Sequence, residues 1–397
     1  MSDQNIDEEE SLFNLEPLTG LAIDQFNASV EELKEINTTL TEISKTSNMT
    51  SAELKRLGEE AFAYASKYGT AVNDYLLGAQ KMLQAGYKNA GQMAELSALV
   101  QSANSISADL ADSYMIASDA AYGYSGNIEK LTEFMDGQTQ VANRNAVSME
   151  ELANASQTAA GIFSDISMIS EKEMTALLGA GISASGESGE TVARALKSIL
   201  MSLQETAGEG GFDGEIIDGE ALEKAEARCR SVGVALEDMR NGVTSLREPM
   251  EILKDLSDIY AFLPENSAQK TGILSDISGE NGSAVLSGIL SNWDTVEKML
   301  GDYENASGSM MEGAMKSANS LEGSLNRLGN TWTDTVGNIV DSGILTGAVN
   351  GLNSLLSIVS RLTSALGTMG STALAGGGIF AFLQKDKSKQ RFCPSWT

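Results

Sequence analysis

Histidine is absent from the 397 residues, and there are only two cysteines, Cys229 and Cys393. Without histidine there is no Ser-His-Asp or Cys-His nucleophile system, no HExxH zinc site and no facial triad for non-haem iron. Two cysteines so far apart make no disulfide framework, which points to a reducing assembly compartment. Aromatic residues are 6% of the chain and prolines number four, against 39 glycines and long Ala/Ser/Met/Leu stretches. That mixture disfavours a sheet sandwich, which needs β-branched and aromatic strands, and favours helices. Positive charge is also scarce: 27 Lys and Arg face 55 Asp and Glu, a formal net charge of -28. Such a chain repels phosphate backbones, so nucleic-acid binding is not expected.

The acid is concentrated at the start, where Asp3, Asp7, Glu8, Glu9, Glu10, Glu16, Asp24, Glu31 and Glu32 all precede the first basic residue, Lys34. Residues 1 to about 18 are expected to be disordered or weakly helical, and an acidic opening does not read as a secretory signal peptide. Helix starts are marked by capping boxes, in which a hydroxyl caps backbone N–H groups and an acid three residues on reciprocates. Thr50 with Glu53, Ser148 with Glu151 and Ser170 with Glu173 fit that pattern. Val192, Leu196, Ile199, Leu200 and Leu203 form one apolar stripe of helical period. Ile252, Leu253, Leu256, Ile259, Tyr260 and Leu263 form another, between Pro249 at a first-turn position and Pro264 at the stop. Neither sustains a heptad, so no long coiled coil is expected.

The fold class expected is all-α, a bundle or extended helices with Gly-rich connections. The regions are an acidic N-terminus (1–20), a helical core (21–205), a Gly-rich acidic linker (206–220), a second helical region (221–340), an apolar helical segment (341–383) and a basic tail (384–397). From Ser342 to Leu383 the only charge is Arg361, and Leu362 to Leu383 is an uncharged run of 22 residues. At ~1.5 Å per residue it could span a ~30 Å hydrocarbon core. Its Gly, Ser and Thr content, with Gly376 to Gly378 in succession, makes insertion unfavourable and weighs toward a buried hairpin or an oligomer contact. Gly347 and Gly351 have the small-xxx-small spacing of closely packed helices, a weak signal in so Gly-rich a chain. Lys385, Lys387, Lys389 and Arg391, followed by Phe392, Cys393, Pro394, Ser395 and Trp396, fit no helix. They suggest an interrupted frame, with a genuine basic tail as the alternative.

Possible chemical motifs each have a plainer explanation. Gly181 to Ser188 (GISASGES) has the glycine spacing of a phosphate loop, but Glu187 stands where that loop needs lysine, which leaves a Gly/Ser turn before a helix. Ser267 to Lys270 spells SxxK and Lys270 to Gly272 spells KTG, yet the two share one lysine, which cannot fill both roles. Asp213, Glu215, Asp218 and Glu220 lack the twelve-residue spacing of a calcium loop and read as solvated charge. Met310, Met311 and Met315 read as adaptable packing. No catalytic, cofactor-binding or metal-ligating residue is assigned, no cofactor is expected, and the chain reads as non-enzymatic.

Several blocks in order carry more information than these motifs. They are Leu33 to Ser51 (LKEINTTLTEISKTSNMTS), Ala65 to Gly69 (ASKYG), Ala85 to Tyr87 (AGY), a Gly-rich turn into an amphipathic helix from Gly181 (GISASGESGETVARALKSILMSLQE), and Met310 to Val340, which includes Trp332. Through them, residues 25 to about 370 resemble the core region of phage tail tape measure proteins. The resemblance implies a structural protein in the lumen of the tail tube, made in the bacterial host cytoplasm, that sets tail length and leaves ahead of the DNA. It implies as partners the tail tube protein, tail assembly chaperones, distal tail or baseplate proteins and further copies of the same chain. The late apolar run would contact the host membrane at ejection. As one helix the chain would extend about 600 Å at ~1.5 Å per residue, short for such a ruler. With the odd last residues, this suggests a truncated or frame-shifted copy. Two other classes remain open: a bacterial helical scaffold or secreted interaction protein, marked by a discrete exposed apolar face, and a membrane-perturbing protein built on 342–383, marked by liposome leakage.

Overall fold

A computed structural model of the chain describes residues 16–163, 169–204, 219–240 and 243–341. The fold is all-α, as the composition predicts. The first helices are α1 (Glu16–Thr46), α2 (Ser51–Tyr68), α3 (Val72–Gln84), α4 (Ala90–Asn104) and α5 (Ala108–Tyr122). After them come α6 (Ile128–Arg144), α7 (Met149–Phe163), α8 (Glu171–Ser185), α9 (Gly189–Gln204) and α10 (Gly219–Ser231). The last described are α11 (Pro249–Phe262), α12 (Ala268–Ser291), α13 (Trp293–Glu304), α14 (Ser309–Ala318) and α15 (Leu321–Asp341). One feature departs from the expectation of helices alone: β1 (Glu237–Arg240) pairs antiparallel with β2 (Val243–Leu246), Arg240 opposite Val243. The dipeptide between them is Asn241-Gly242, the strongest short hairpin signal in sequence, which the helical reading passed over.

Local chemistry accounts for most helix starts. Thr50 Oγ1 accepts from Glu53 N at 3.3 Å while Glu53 accepts from Thr50 N at 2.7 Å. Glu173 likewise accepts from Ser170 N at 2.8 Å. Ser107, Asn127, Ser188 and Ser267 accept from the third amide of α5, α6, α9 and α12. Pro249 opens α11, and that helix ends at Phe262, two residues before Pro264. Gly69, Gly123 and Gly186 close α2, α5 and α8 with φ of 71, 64 and 69°. Inside α12, Gly279 (φ 66°, ψ -175°) breaks the helix in a region open essentially to glycine alone.

The contacts group the chain into two compact units. One is Leu77–Ser320; the other joins the described residues up to Leu76 with those from Leu321. The grouping cuts across the regions read from the sequence. Helix α9, before the Gly-rich stretch, packs on α10, α11 and α12 after it, because its stripe of Val192, Leu196, Ile199, Leu200 and Leu203 is wholly buried. Residues 205–218, with Asp213, Glu215 and Asp218, lie outside the described residues, as do 1–15 and 342–397. In the second unit α15 lies on α1 and α2. There Ser29, Ile36 and Ile43 of α1 are buried at heptad spacing, and Asn326 and Asn330 of α15 donate to the carbonyls of Gly69 and Thr70 at 2.7 and 2.9 Å.

Small residues set the spacing within Leu77–Ser320. A Cβ on Gly181 would lie 2.6 Å from Val192 Cγ1, and one on Gly179 2.7 Å from Met299 Sδ. At Gly189 it would run into the backbone carbonyl of Glu151. Gly189→Ala is therefore expected to destabilise by ~1–3 kcal/mol through overpacking against rigid backbone. Gly301→Ala, in α13 with nothing within 4 Å of its missing Cβ, should stabilise by ~0.5–1 kcal/mol through helix propensity. Urea unfolding of the two variants checks the opposite signs. Cys229, fully buried on α10, has its thiol pushed up to about 12 by burial. In a Cys393→Ser chain, an aqueous thiol reagent at pH 8 is expected to label nothing until the protein is denatured.

Candidate functional site

Helix α6 is buried from Phe134 to Thr139, although its sequence there, FMDGQT, is two-thirds polar or glycine. A buried polar group is costly unless hydrogen-bonded, and here residues 136 to 139 each address a different helix. Asp136 Oδ2 and Oδ1 accept from Gly308 N and Met310 N, both at 2.8 Å, at the amino end of α14. Gly137 lies against the ring of Tyr303 on α13, where any Cβ would collide. Gln138 Nε2 donates to Thr175 Oγ1 of α8 at 2.5 Å. Thr139 Oγ1 accepts from Asn104 Nδ2 at the end of α4 at 3.1 Å. Gln140 Oε1 accepts from Ser309 Oγ at 2.8 Å. Aromatics are few in the chain, yet Tyr114, Tyr122, Tyr124 and Phe134 gather at the other end of this buried stretch, with ring centroids 5.1–6.4 Å apart.

The same device recurs at other helix ends: a side chain from one element caps the backbone of another. Glu151 Oε2 of α7 accepts from Gly189 N at 2.5 Å, at the first residue of α9. Lys298 Nζ of α13 donates to Arg144 O at 3.1 Å, at the carboxyl end of α6, and to Asp302 Oδ2 at 3.0 Å. Asp119 of α5 accepts from Gly126 N at 2.7 Å and from the Tyr87 hydroxyl at 2.6 Å, and Asn89 Nδ2 donates to Gly126 O at 2.9 Å. Acids thus sit at amino ends and a cation at a carboxyl end, the arrangement the helix dipole favours. Burial would push the Asp302 carboxyl up, but Lys298, Asn145 and Arg144 hold it below its ordinary value. At Asp112, burial raises the carboxyl against the opposing pull of Ser97 and Lys81.

The sequence motifs take structural places. Gly181 to Ser185 is the last turn of α8, Gly186 its left-handed cap and Ser188 the cap of α9, whose amino end is already occupied by the Glu151 carboxylate. Glu187 is exposed. Ser148 does cap Glu151 N at 3.1 Å, but Glu151 then reaches α9 rather than closing its own box. Ser267 caps Lys270 N at 3.1 Å, while Lys270 Nζ reaches Glu265 at 2.9 Å and lies 4.3 Å from the Tyr260 ring centroid. The SxxK spacing is a helix start. Met310 is buried, whereas Met311 and Met315 are exposed. Among the described residues no group of three or more His, Cys, Asp or Glu could hold a metal ion, and no helix is long and apolar enough to cross a membrane. Gly347, Gly351 and the run Leu362 to Leu383 lie outside the described residues. The buried polar stretch of α6 escaped the sequence reading because Ile128, Leu131, Phe134, Met135 and Val141 mark only an apolar face, and periodicity does not show that the polar residues beside that face are buried as well. Its one visible mark is the cluster Asp136-Gly137-Gln138-Thr139 within a capped helix.

Comparison with curated proteins yields no match, and comparison with solved structures yields none either. The family model described as phage-related minor tail protein matches residues 58–279, from within α2 to the break in α12. The match includes α6 with its Asn127 cap and the α8–α9 corner, and ends before Lys298 and the α14 amides from which Asp136 accepts. Because it covers more than half of the chain, this protein belongs to the phage-related minor tail protein family.

Proposed function

We propose that this chain acts within the tail as its tape measure, a non-enzymatic protein whose length sets how far the tube grows. The observation that carries the reading is that most described residues are helical and several helices begin on caps of their own sequence. A helical chain converts residue number into length at a fixed ~1.5 Å per residue, which is what a ruler requires. The ordered blocks resembling tape measure proteins support the same reading. So does the net charge of -28, which disfavours holding DNA that must follow through the same channel. In this role the chain lies in the tube lumen with further copies of itself. Tube subunits, assembly chaperones and distal tail proteins are its partners, and it leaves before the genome. The run Leu362 to Leu383 is then the segment that meets the host membrane.

In a phage or prophage encoding this chain, an in-frame deletion of about 60 residues within 221–340 is expected to shorten tails by roughly 90 Å, at ~1.5 Å per residue, in electron micrographs. Tails of unchanged length would contradict the ruler role and favour a helical scaffold of the tail.

A further inference from the structure

Four carboxylates are buried among the described residues of Leu77–Ser320: Asp112, Asp119, Asp136 and Asp302. A buried carboxylate keeps its charge only where donors or cations replace the lost water. Asp136 accepts from two backbone amides, and Asp119 from an amide and a phenol. Asp302 has Lys298 and Asn145 at 3.0 Å and Arg144 at 3.5 Å. Asp112 is the most deeply buried of the four, at 2% exposure, and the least compensated. Its Oδ1 accepts from Ser97 Oγ of α4 at 2.5 Å, and its Oδ2 lies 3.2 Å from Lys81 Nζ of α3. That ammonium is nearer to Asp109, 2.6 Å away and one turn earlier on α5. Gly78 of α3 closes the space beside Oδ1, where a Cβ would stand 2.8 Å away. Among the described residues, the charged groups that act on Asp112 are Lys81 from α3 and Asp109 from its own helix; α4 adds only the Ser97 hydroxyl, and α6 and α7, which also pack on α5, add none. Two carboxylates thus share one ammonium, and the buried one has the longer contact.

We propose that Asp112 is a proton-binding switch at the meeting of α3, α4 and α5. Charged, it competes with Asp109 for Lys81. Protonated, it is a neutral hydrogen-bond partner of Ser97 and leaves Lys81 wholly to Asp109, so the three helices hold more firmly in mild acid than at neutral pH. Burial raises the Asp112 carboxyl above its ordinary 3.8 against the pull of Ser97 and Lys81, while Lys81 holds the exposed Asp109 carboxyl below its own. A group that titrates higher in the folded chain than in the unfolded one takes up a proton on folding. Its contribution is fully present below the ordinary value and is lost as pH rises through the folded value. Carboxylates held low, such as Asp302, act in the opposite direction, so the effect of Asp112 is read as a difference from a variant that lacks its charge.

The test uses the full chain labelled with 13C at its aspartate carboxyls and titrated downward from neutral pH by NMR, with Asp112 assigned as the signal missing from Asp112→Asn. The Asp112 signal is expected to move at higher pH than those of Asp109 and Asp302. Asp109→Asn frees Lys81 for Asp112 and should carry its titration to lower pH, whereas Lys81→Met should carry it higher. Should Asp112→Asn fail to fold, these opposite shifts identify the signal. An Asp112 that titrates together with Asp302 or below it, or that neither variant moves, would overturn the proposal. Urea unfolding supplies the second readout: the stability of the wild type relative to Asp112→Asn should rise as pH falls from neutral, tenfold in the folding constant for each unit by which Asp112 titrates above its unfolded value. A relative stability that stays constant or falls would overturn the switch. Neither readout depends on the tape measure reading.

Discussion

The carboxylate of Asp136 supplies the acceptor that the amino end of α14 lacks, and it does so from inside another helix, 172 and 174 residues away in sequence from the amides it receives. A short helix exposes a large share of its backbone at its ends, where four amides and four carbonyls have no internal partner. When such ends are packed inside a bundle, water cannot serve them, and something in the fold must. Here the service comes from Asp136, Glu151, Asp119 and Lys298. Each contact joins a side chain of one sign to the helix end of the opposite partial charge. The order of the helices in space is therefore set by pairs that only one arrangement can satisfy, in a core with few aromatic side chains to do it by shape. Between these points, Gly179, Gly181 and Gly189 let backbones approach more closely than any larger residue would permit.

Residue patterns revealed the elements better than their assembly. The boxes at Thr50 and Ser170, Pro249 and the stripes of α9 and α11 are local, and periodicity with capping chemistry is enough to place them. Asn241-Gly242 was equally local and was passed over because the surrounding composition argued for helix alone. The partition into units could not be read this way. The Gly-rich acidic stretch before α10 looks like a boundary, yet α9 and α12 on either side of it pack together. What joins them is complementary burial, which no local window contains. Glu151 makes the same point within one residue: its spacing from Ser148 correctly marks a helix start, while its carboxylate serves a helix 38 residues on.

Candidate chemistry dissolved for related reasons. The glycine spacing at Gly181 belongs to close helix packing, with Val192 filling the space where a larger residue would stand. The serine and lysine of the SxxK pattern are a cap and its third amide. Glu151 and Ser188 meet at the amino end of α9, where both serve its backbone amides.

That central role of helix ends capped from afar is tested most directly by native-state hydrogen exchange at single-residue resolution. The amides of Gly126, Gly189, Gly308 and Met310 lie at or just before helix starts, where exchange is ordinarily fast. If the side chains of Asp119, Glu151 and Asp136 organise the bundle, these amides exchange as slowly as those in the middle of α6. Exchange near the unprotected rate, with α6 itself protected, would contradict the account.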